Sequence, residues 1–208
     1  MSYLPYRHDD SCMSYRGFTL GTASMPMYDG EAFARKQDVV VVSFNYRTNV
    51  FGFPTSSDLV STGNNLGFLD QELALAWVQE NIAQFGGDKS KVTVMVGALA
   101  HGAHVRHMRP IFCRQGHSAG AQSISLAISR RNSSVVPPFR SAIMFSGVKT
   151  SASPVPNFAN FQAFATAMGC SQSPGPDRLD CLRQIPASTI RNYTNSNPLV
   201  TFVPHVDK

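Results

Sequence analysis

The sequence contains no run of 18 or more apolar residues, which leaves no transmembrane helix to be read in it. Its first residues, MSYLPYRHDDSCMSYRG, hold no apolar stretch of the kind that a secretory leader needs, so no signal peptide is visible in this chain. Charged residues are scarce at 15%, and this excludes a disordered, self-repelling tail. Cysteine is sparse as well, with four in all, and their meaning depends on where they fall. What is present is apolar: 43% of 208 residues, enough for one globular core or part of a larger one.

Apolar runs alternate with helical patterns. Val39–Asn45, VVVVSFN, is β-branched throughout and reads as a strand buried on both faces of a parallel sheet. Residues 45–67 are rich in Asn, Gly, Ser and Thr and read as loop. Leu69, Leu73, Ala76 and Trp77 then recur at helical spacing, with Asp70 and Glu72 expected in the first turn, where the helix dipole favours acids. Gly86-Gly87-Asp88 stops that helix. Val92–Met95 and Ser141–Ser146 read as two more buried strands. Ala119–Arg130 reads as a helix with Arg130 and Arg131 at its C-terminal end, and Phe158–Met168 as a further helix. Strands apolar on both faces and alternating with helices indicate an α/β fold with a parallel sheet.

The motif that carries chemistry is Gly116-His117-Ser118-Ala119-Gly120. A nucleophilic serine must project from a sharp turn between a strand and a helix. Gly116 and Gly120 allow that elbow without a side-chain clash, and the amide of Ala119 opens the helix behind Ser118, where it can hold an oxyanion. The pentapeptide also fits an ordinary glycine-rich loop. An apolar strand upstream and a helix directly after it favour the elbow.

The stretch NNLGFLDQELALAWVQENIAQFGGDKSKVTVM, followed by GHSAGAQS, resembles the carboxylesterase type B family, which includes cholinesterases and Candida rugosa-like fungal lipases. GFTLGTASMPMYDGEAFARKQDVVVVSFNYRTNVFGF, PFRSAIMFSG and the closing FVPHVD extend the resemblance over residues 17–208. It implies a partial α/β-hydrolase fold, a mostly parallel sheet flanked by helices, truncated at both ends. It also implies a carboxylic-ester hydrolase working through a serine acyl-enzyme, with a small-molecule or lipid ester as substrate and neither metal nor organic cofactor. Ser118 is the implied nucleophile, with the amides of Ala119 and Gly17 in the oxyanion hole. Tyr15-Arg16-Gly17-Phe18 matches a Gly-Gly-Gly-Phe-like turn of the family, but Arg16 stands where a glycine is expected. Residues 1–16 show no other resemblance and read as a mispredicted start.

Twenty residues, VGALAHGAHVRHMRPIFCRQ at 96–115, separate VTVM from GHSAG, where the family strand runs straight into its elbow. Twenty codons keep the reading frame, a Val codon begins with the GT of a splice donor, and a Gln codon can be the CAG of an acceptor. Residues 96–115 therefore read as a retained intron. His101, His104 and His107 inside it are spaced as metal ligands could be on one helix, but they read more simply as part of a solvated insert, so no metal site is expected. Without its three Arg the formal charge of +5 falls to +2, an ordinary surface balance that calls for no nucleic-acid partner.

Triad members in this fold follow the order Ser, acid, His. After Ser118 the only acids are Asp177, Asp180 and Asp207 and the only histidine is His205, none of them in a triad motif of the family. His205 and Asp207 lie in FVPHVDK, which resembles a structural segment, and His117 is expected to pack beside the elbow. Lacking a base, the chain by itself is expected to be inactive. A non-catalytic binding or adhesion relative, and a gene fragment that does not fold alone, are the alternatives. Cys12 and Cys113 fall in the two unmatched segments. Cys170 and Cys181 match a family disulfide closing a surface loop, and the sequons at Asn132 and Asn192 agree with a secreted parent protein.

Overall fold

A computed structural model describes residues 17–23, 30–96, 119–131, 136–144 and 158–205. Two strands, β1 (Thr93–Val96) and β2 (Ser141–Met144), pair in parallel, with Thr93 opposite Ser141 and Val96 opposite Met144. Parallel neighbours need a crossover. The helix labelled α4 (Ala119–Ser129) lies between them in the chain and packs on both. Ala121 and Ile124 are its buried apolar contacts, and the Ser123 hydroxyl donates back to the Ala119 carbonyl at 2.9 Å. At its end Arg131 Nε donates to the Ala127 carbonyl at 3.1 Å, so the arginine caps a terminal acceptor, as expected of a cation there. This strand–helix–strand unit is the α/β arrangement read from the apolar runs.

In the chain, α1 (Glu31–Gln37), the single turn α2 (Asn49–Gly52) and α3 (Leu66–Asn81) precede that unit and α5 (Ala159–Ala167) follows it. Helix α3 runs into a 3-10 turn at Ile82–Phe85 and stops at Gly86, whose left-handed φ of +80° a glycine adopts without strain. It starts three residues earlier than the periodicity indicates. Asp70 and Glu72 therefore sit in its second turn, beyond the reach of the dipole. They make lateral ion pairs instead, with Arg47 and Arg130.

Residues 39–45 form no strand. Val39, Val40, Val41, Val42 and Phe44 are all more than two-fifths exposed, and no ladder joins them to another segment among the described residues. A buried parallel strand needs a neighbour on each edge, and β1 and β2 pair only with each other.

The chain between the disulfide cysteines is also not a simple polar surface loop. After residues 171–175 it enters α6 (Pro176–Arg183), with Pro176 at the first position, where its fixed φ suits a helix and its missing N–H costs nothing. A last helix, α7 (Ala187–Ser196), follows. Cys170 and Cys181 are bonded, with Cα atoms 5.8 Å apart, and Cys170 is fully buried. It belongs to a core of Val50, Phe161, Phe164, Ala165, Leu182, Ile190 and Phe202 that joins α2 to α5–α7. Closing a loop of this length stabilises the fold by roughly 3 kcal/mol in the chain-entropy description.

Arg178, inside that bridged loop, is only 1% exposed, and the side chain of its partner Asp58 is fully buried. Arg178 Nε donates to Asp58 Oδ2 at 2.6 Å and Nη2 to Oδ1, while the Gly175 amide adds a bond to Oδ1 at 3.2 Å. Arg178 Nη1 donates to Gln162 Oε1, and the guanidinium lies 5.7 Å from the Phe161 ring centre. Removing one partner strands the other charge away from water. Asp58→Asn or Arg178→Met should each lower unfolding stability by about 3–5 kcal/mol in a urea titration, and the double variant should cost less than the sum of the two.

Candidate active site

Gly116, His117 and Ser118 lie outside the described residues, and α4 begins at the next residue, Ala119. The first amides of a helix have no acceptor within it and point out of its N-terminal end. Ala119 and Gly120 are half-buried there.

Gly17 is half-buried in a turn, and Arg16 lies outside the described residues. The position of Gly17 is fixed by its neighbour. Phe18 is buried with its ring edge-to-face against Phe53 at 5.1 Å and Phe68 at 5.6 Å, and those two rings meet at 5.2 Å. Its carbonyl accepts from the Asn49 amide at 2.7 Å. Phe18 takes a left-handed φ of +69°, a conformation that costs a non-glycine residue about 1–2 kcal/mol. Burying a phenylalanine ring, worth about 1.5–3 kcal/mol, offsets that cost.

Helix α3 supports both halves of this arrangement. Its Phe68 carries the Phe18 turn, and its Glu72 meets Arg130, just past the end of α4, at 3.4 Å. Close packing at its start needs a glycine: a Cβ on Gly67 would come within 2.5 Å of the Arg47 carbonyl and of the Phe53 ring. Gly52 approaches the same carbonyl, where a Cβ would also clash.

Arg47 forms a two-pronged pair with Asp70 on α3, Nε to Oδ2 at 2.8 Å and Nη2 to Oδ1 at 2.7 Å, and its own amide donates to Oδ2 at 2.9 Å. The Arg47 side chain is 50% exposed and that of Asp70 24%. Hydrogen bonds from Arg47 hold the Asp70 carboxyl below the usual carboxylate range and push the guanidinium further up. No local pattern signals this pair, since Arg47 falls in a stretch that reads as loop.

The segment carrying His205 is a strap laid over the loop that precedes α3. Asn65 donates to the His205 carbonyl at 2.9 Å and accepts from its amide at 3.4 Å, and Thr55 Oγ1 donates to the Val203 carbonyl at 3.1 Å. Asn64 closes the other side of that loop with bonds to the Ser56 amide at 2.6 Å and carbonyl at 3.0 Å. The backbone of His205 is thus held in this strap. Asp207, Asn132, Cys12, Cys113 and the three histidines of 96–115 lie outside the described residues. Among the described residues no group of three or more His, Cys, Asp or Glu could hold a metal, and no helix is long and apolar enough to cross a membrane. Asn192 is exposed in the middle of α7.

The model of the carboxylesterase family matches residues 15–108 and 115–208. Cholinesterase 2 of Branchiostoma lanceolatum is 37% identical over 181 residues, 84% of this chain and 46% of that protein. The cholinesterase of Mus musculus is 35% identical over 201 residues, 92% of this chain and 30% of that protein. Secreted lipase 1 of Botryotinia fuckeliana is 36% identical over 195 residues, 88% of this chain and 30% of that protein. The chain thus spans less than half the length of the curated relatives it matches.

The Arg47–Asp70 pair makes stability depend on acid. Asp70 titrates lower in the fold than its unfolded value of about 4, so its contribution is complete above that pH and is lost as pH falls through the folded value. Asp70→Asn should cost about 1 kcal/mol at neutral pH, a figure kept small because Arg47 is half in water. The gap from the unsubstituted protein should close between pH 4 and lower values in denaturant titrations.

Proposed function

This chain belongs to the carboxylesterase family, and from that membership we propose that it supplies the nucleophile and part of the oxyanion hole of a serine carboxylic-ester hydrolase. The observation that carries the reading is the join between GHSAG and α4. The motif runs directly into a helix that packs over a parallel strand pair, which is the setting a nucleophile elbow needs. Ser118 Oγ attacks the ester carbonyl carbon and the alcohol leaves, giving an acyl-enzyme that water then hydrolyses. The amides of Ala119 and Gly17, with that of residue 16, stabilise the oxyanion in both steps. A base and its orienting acid come from polypeptide other than these 208 residues. His205 is not assigned that role, because it lies in no triad motif of the family. Small-molecule or lipid esters are the substrate class, and the reaction as written uses no cofactor.

The same reading accounts for apolar side chains left in the open. Leu73 on α3 is 71% exposed, and Leu69, Trp77, Met95 and Ile143 are all more than two-fifths exposed. They are the faces on which further layers of an α/β domain pack, and alone they favour aggregation. The parent protein is secreted, a reading supported by the buried Cys170–Cys181 bond. Residues 96–115 are a translated intron. Deleting them places Gly116 directly after Met95 and restores a strand that enters its elbow without interruption. The family match breaks only at residues 109–114, inside this segment, and continues through 96–108. Sequencing the mature transcript checks the intron reading, and spliced message that still encodes 96–115 would rule it out.

The catalytic reading is tested by fluorophosphonate labelling and peptide mapping, on this chain and on a full-length form lacking 96–115. The expected outcome is labelling of the full-length form alone, at Ser118. Labelling of this chain would show that a base lies within it. A full-length form that resists the probe would favour a non-catalytic binding protein.

A further inference from the structure

Helix α7 has two unlike faces. Ile190 and Thr194 are buried, and Tyr193 sets its ring 5.6 Å from that of Phe164. Asn192 is two residues from each buried position, roughly 200° around the helix axis, and so points the opposite way. From Ser188 to Ser196 every exposed side chain is polar: Ser188, Thr189, Arg191, Asn192, Asn195 and Ser196. This face contrasts with α3 and the strand pair, whose exposed Leu73, Trp77, Met95 and Ile143 call for a cover. A bulky hydrophilic group on Asn192 would hide no apolar surface and hinder no packing.

We infer that Asn192 is an N-glycosylation site and that its oligosaccharide is attached before α7 docks on the core. The inference rests on the secretory reading of the parent protein. In the transfer, Asn192 Nδ2 forms a bond to the anomeric carbon of a lipid-pyrophosphate-linked oligosaccharide. The bond from that carbon to the pyrophosphate oxygen breaks, the lipid pyrophosphate leaves with the electron pair, and one amide proton is released. The acceptor is read as Asn-x-Thr, so the Thr194 hydroxyl must be accessible at that moment. In the folded chain Thr194 is only 8% exposed and its hydroxyl donates to the Arg191 carbonyl at 3.0 Å. Both features hide the sequon in the finished fold, so transfer must come first. The Cys170–Cys181 bond that locks the preceding helix then has no part in acceptor recognition.

The test uses the full chain behind a cleavable secretory leader, translated with endoplasmic-reticulum microsomes and resolved by gel mobility with and without an endoglycosidase. An enzyme-sensitive shift is expected. Asn192→Gln and Thr194→Ala should each lose one glycan's worth of it, Thr194→Ser should keep it, and Asn132→Gln should leave the Asn192 glycan in place. Cys170→Ser with Cys181→Ser should be glycosylated at least as fully. Translocation and transfer need no folded product, so a folding defect cannot mimic these results. An Asn192→Gln pattern identical to the unsubstituted one would overturn the inference, and reduced transfer in the cysteine variant would overturn the order. In protein from its natural source, a formed Cys170–Cys181 bond beside a bare Asn192 would sink the inference and leave the secretory reading standing. Free thiols at both positions would overturn the two together.

Discussion

A charge removed from water must find its whole shell of partners in the protein, and Asp58–Arg178 is the place where this chain meets that demand. Three donors converge on the Asp58 carboxylate, and Gln162 takes one of the remaining guanidinium protons. Those partners come from separate stretches: the loop before α3, helix α5, and the chain between the two bonded cysteines. None of them can shift without stranding a buried ion. The disulfide brackets Arg178 on both sides and shortens the path over which it must be delivered. The pair and the bridge are therefore one device, in which a covalent loop presents a cation to a carboxylate 120 residues upstream.

Order passes from that device to the candidate site through short steps. The loop fixed by Asp58 is closed by Asn64 and strapped by the backbone around His205 through Asn65, and this sets where α3 begins. The close contacts at Gly67 and the Arg47–Asp70 pair then seat α3 against the preceding chain. Phe68, one residue after Gly67, presents the ring surface on which Phe18 rests, so the turn bearing Gly17 inherits its position from α3. Oxyanion stabilisation depends on donors held in place before the reaction. In the catalytic reading proposed above, rigid packing behind Gly17 serves that need.

The distribution of exposed side chains divides the surface into two kinds. Around α3 and the strand pair, large apolar groups meet solvent; on α7 the exposed side chains from Ser188 to Ser196 are all polar. A family domain more than twice as long as the matched segment has ample chain to cover the first kind, while the second is already suited to water. The inferred glycan at Asn192 lies on the second kind, so the two proposals place the interior and the exterior of the parent protein consistently.

Much of this was legible in the linear sequence, because it is local. Apolar spacing, the Gly86-Gly87 stop and the apolar runs at 92–95 and 141–146 located α3, α4, α5, β1 and β2 to within a few residues, and the GHSAG pentapeptide was visible by inspection. The resemblance to a known family singled out Cys170 and Cys181 for a bond that the structure contains. What failed depended on partners. VVVVSFN has every intrinsic preference of a strand, yet a strand exists only as one of a hydrogen-bonded pair, and among the described residues no segment pairs with it. Asp70 resembled a helix-dipole acid until the true start of α3 moved it a turn along and gave it to Arg47. Arg178 sat in a polar stretch that looked like surface, and only the fold could bring Asp58 across 120 residues to bury it. Sequence alone determined which segments of α3–α5 are helical and which runs are apolar, because backbone preference and spacing act over a few residues. Tertiary structure alone decided which charges are buried and which strand is paired, because burial and pairing belong to contacts between segments that the linear order keeps apart.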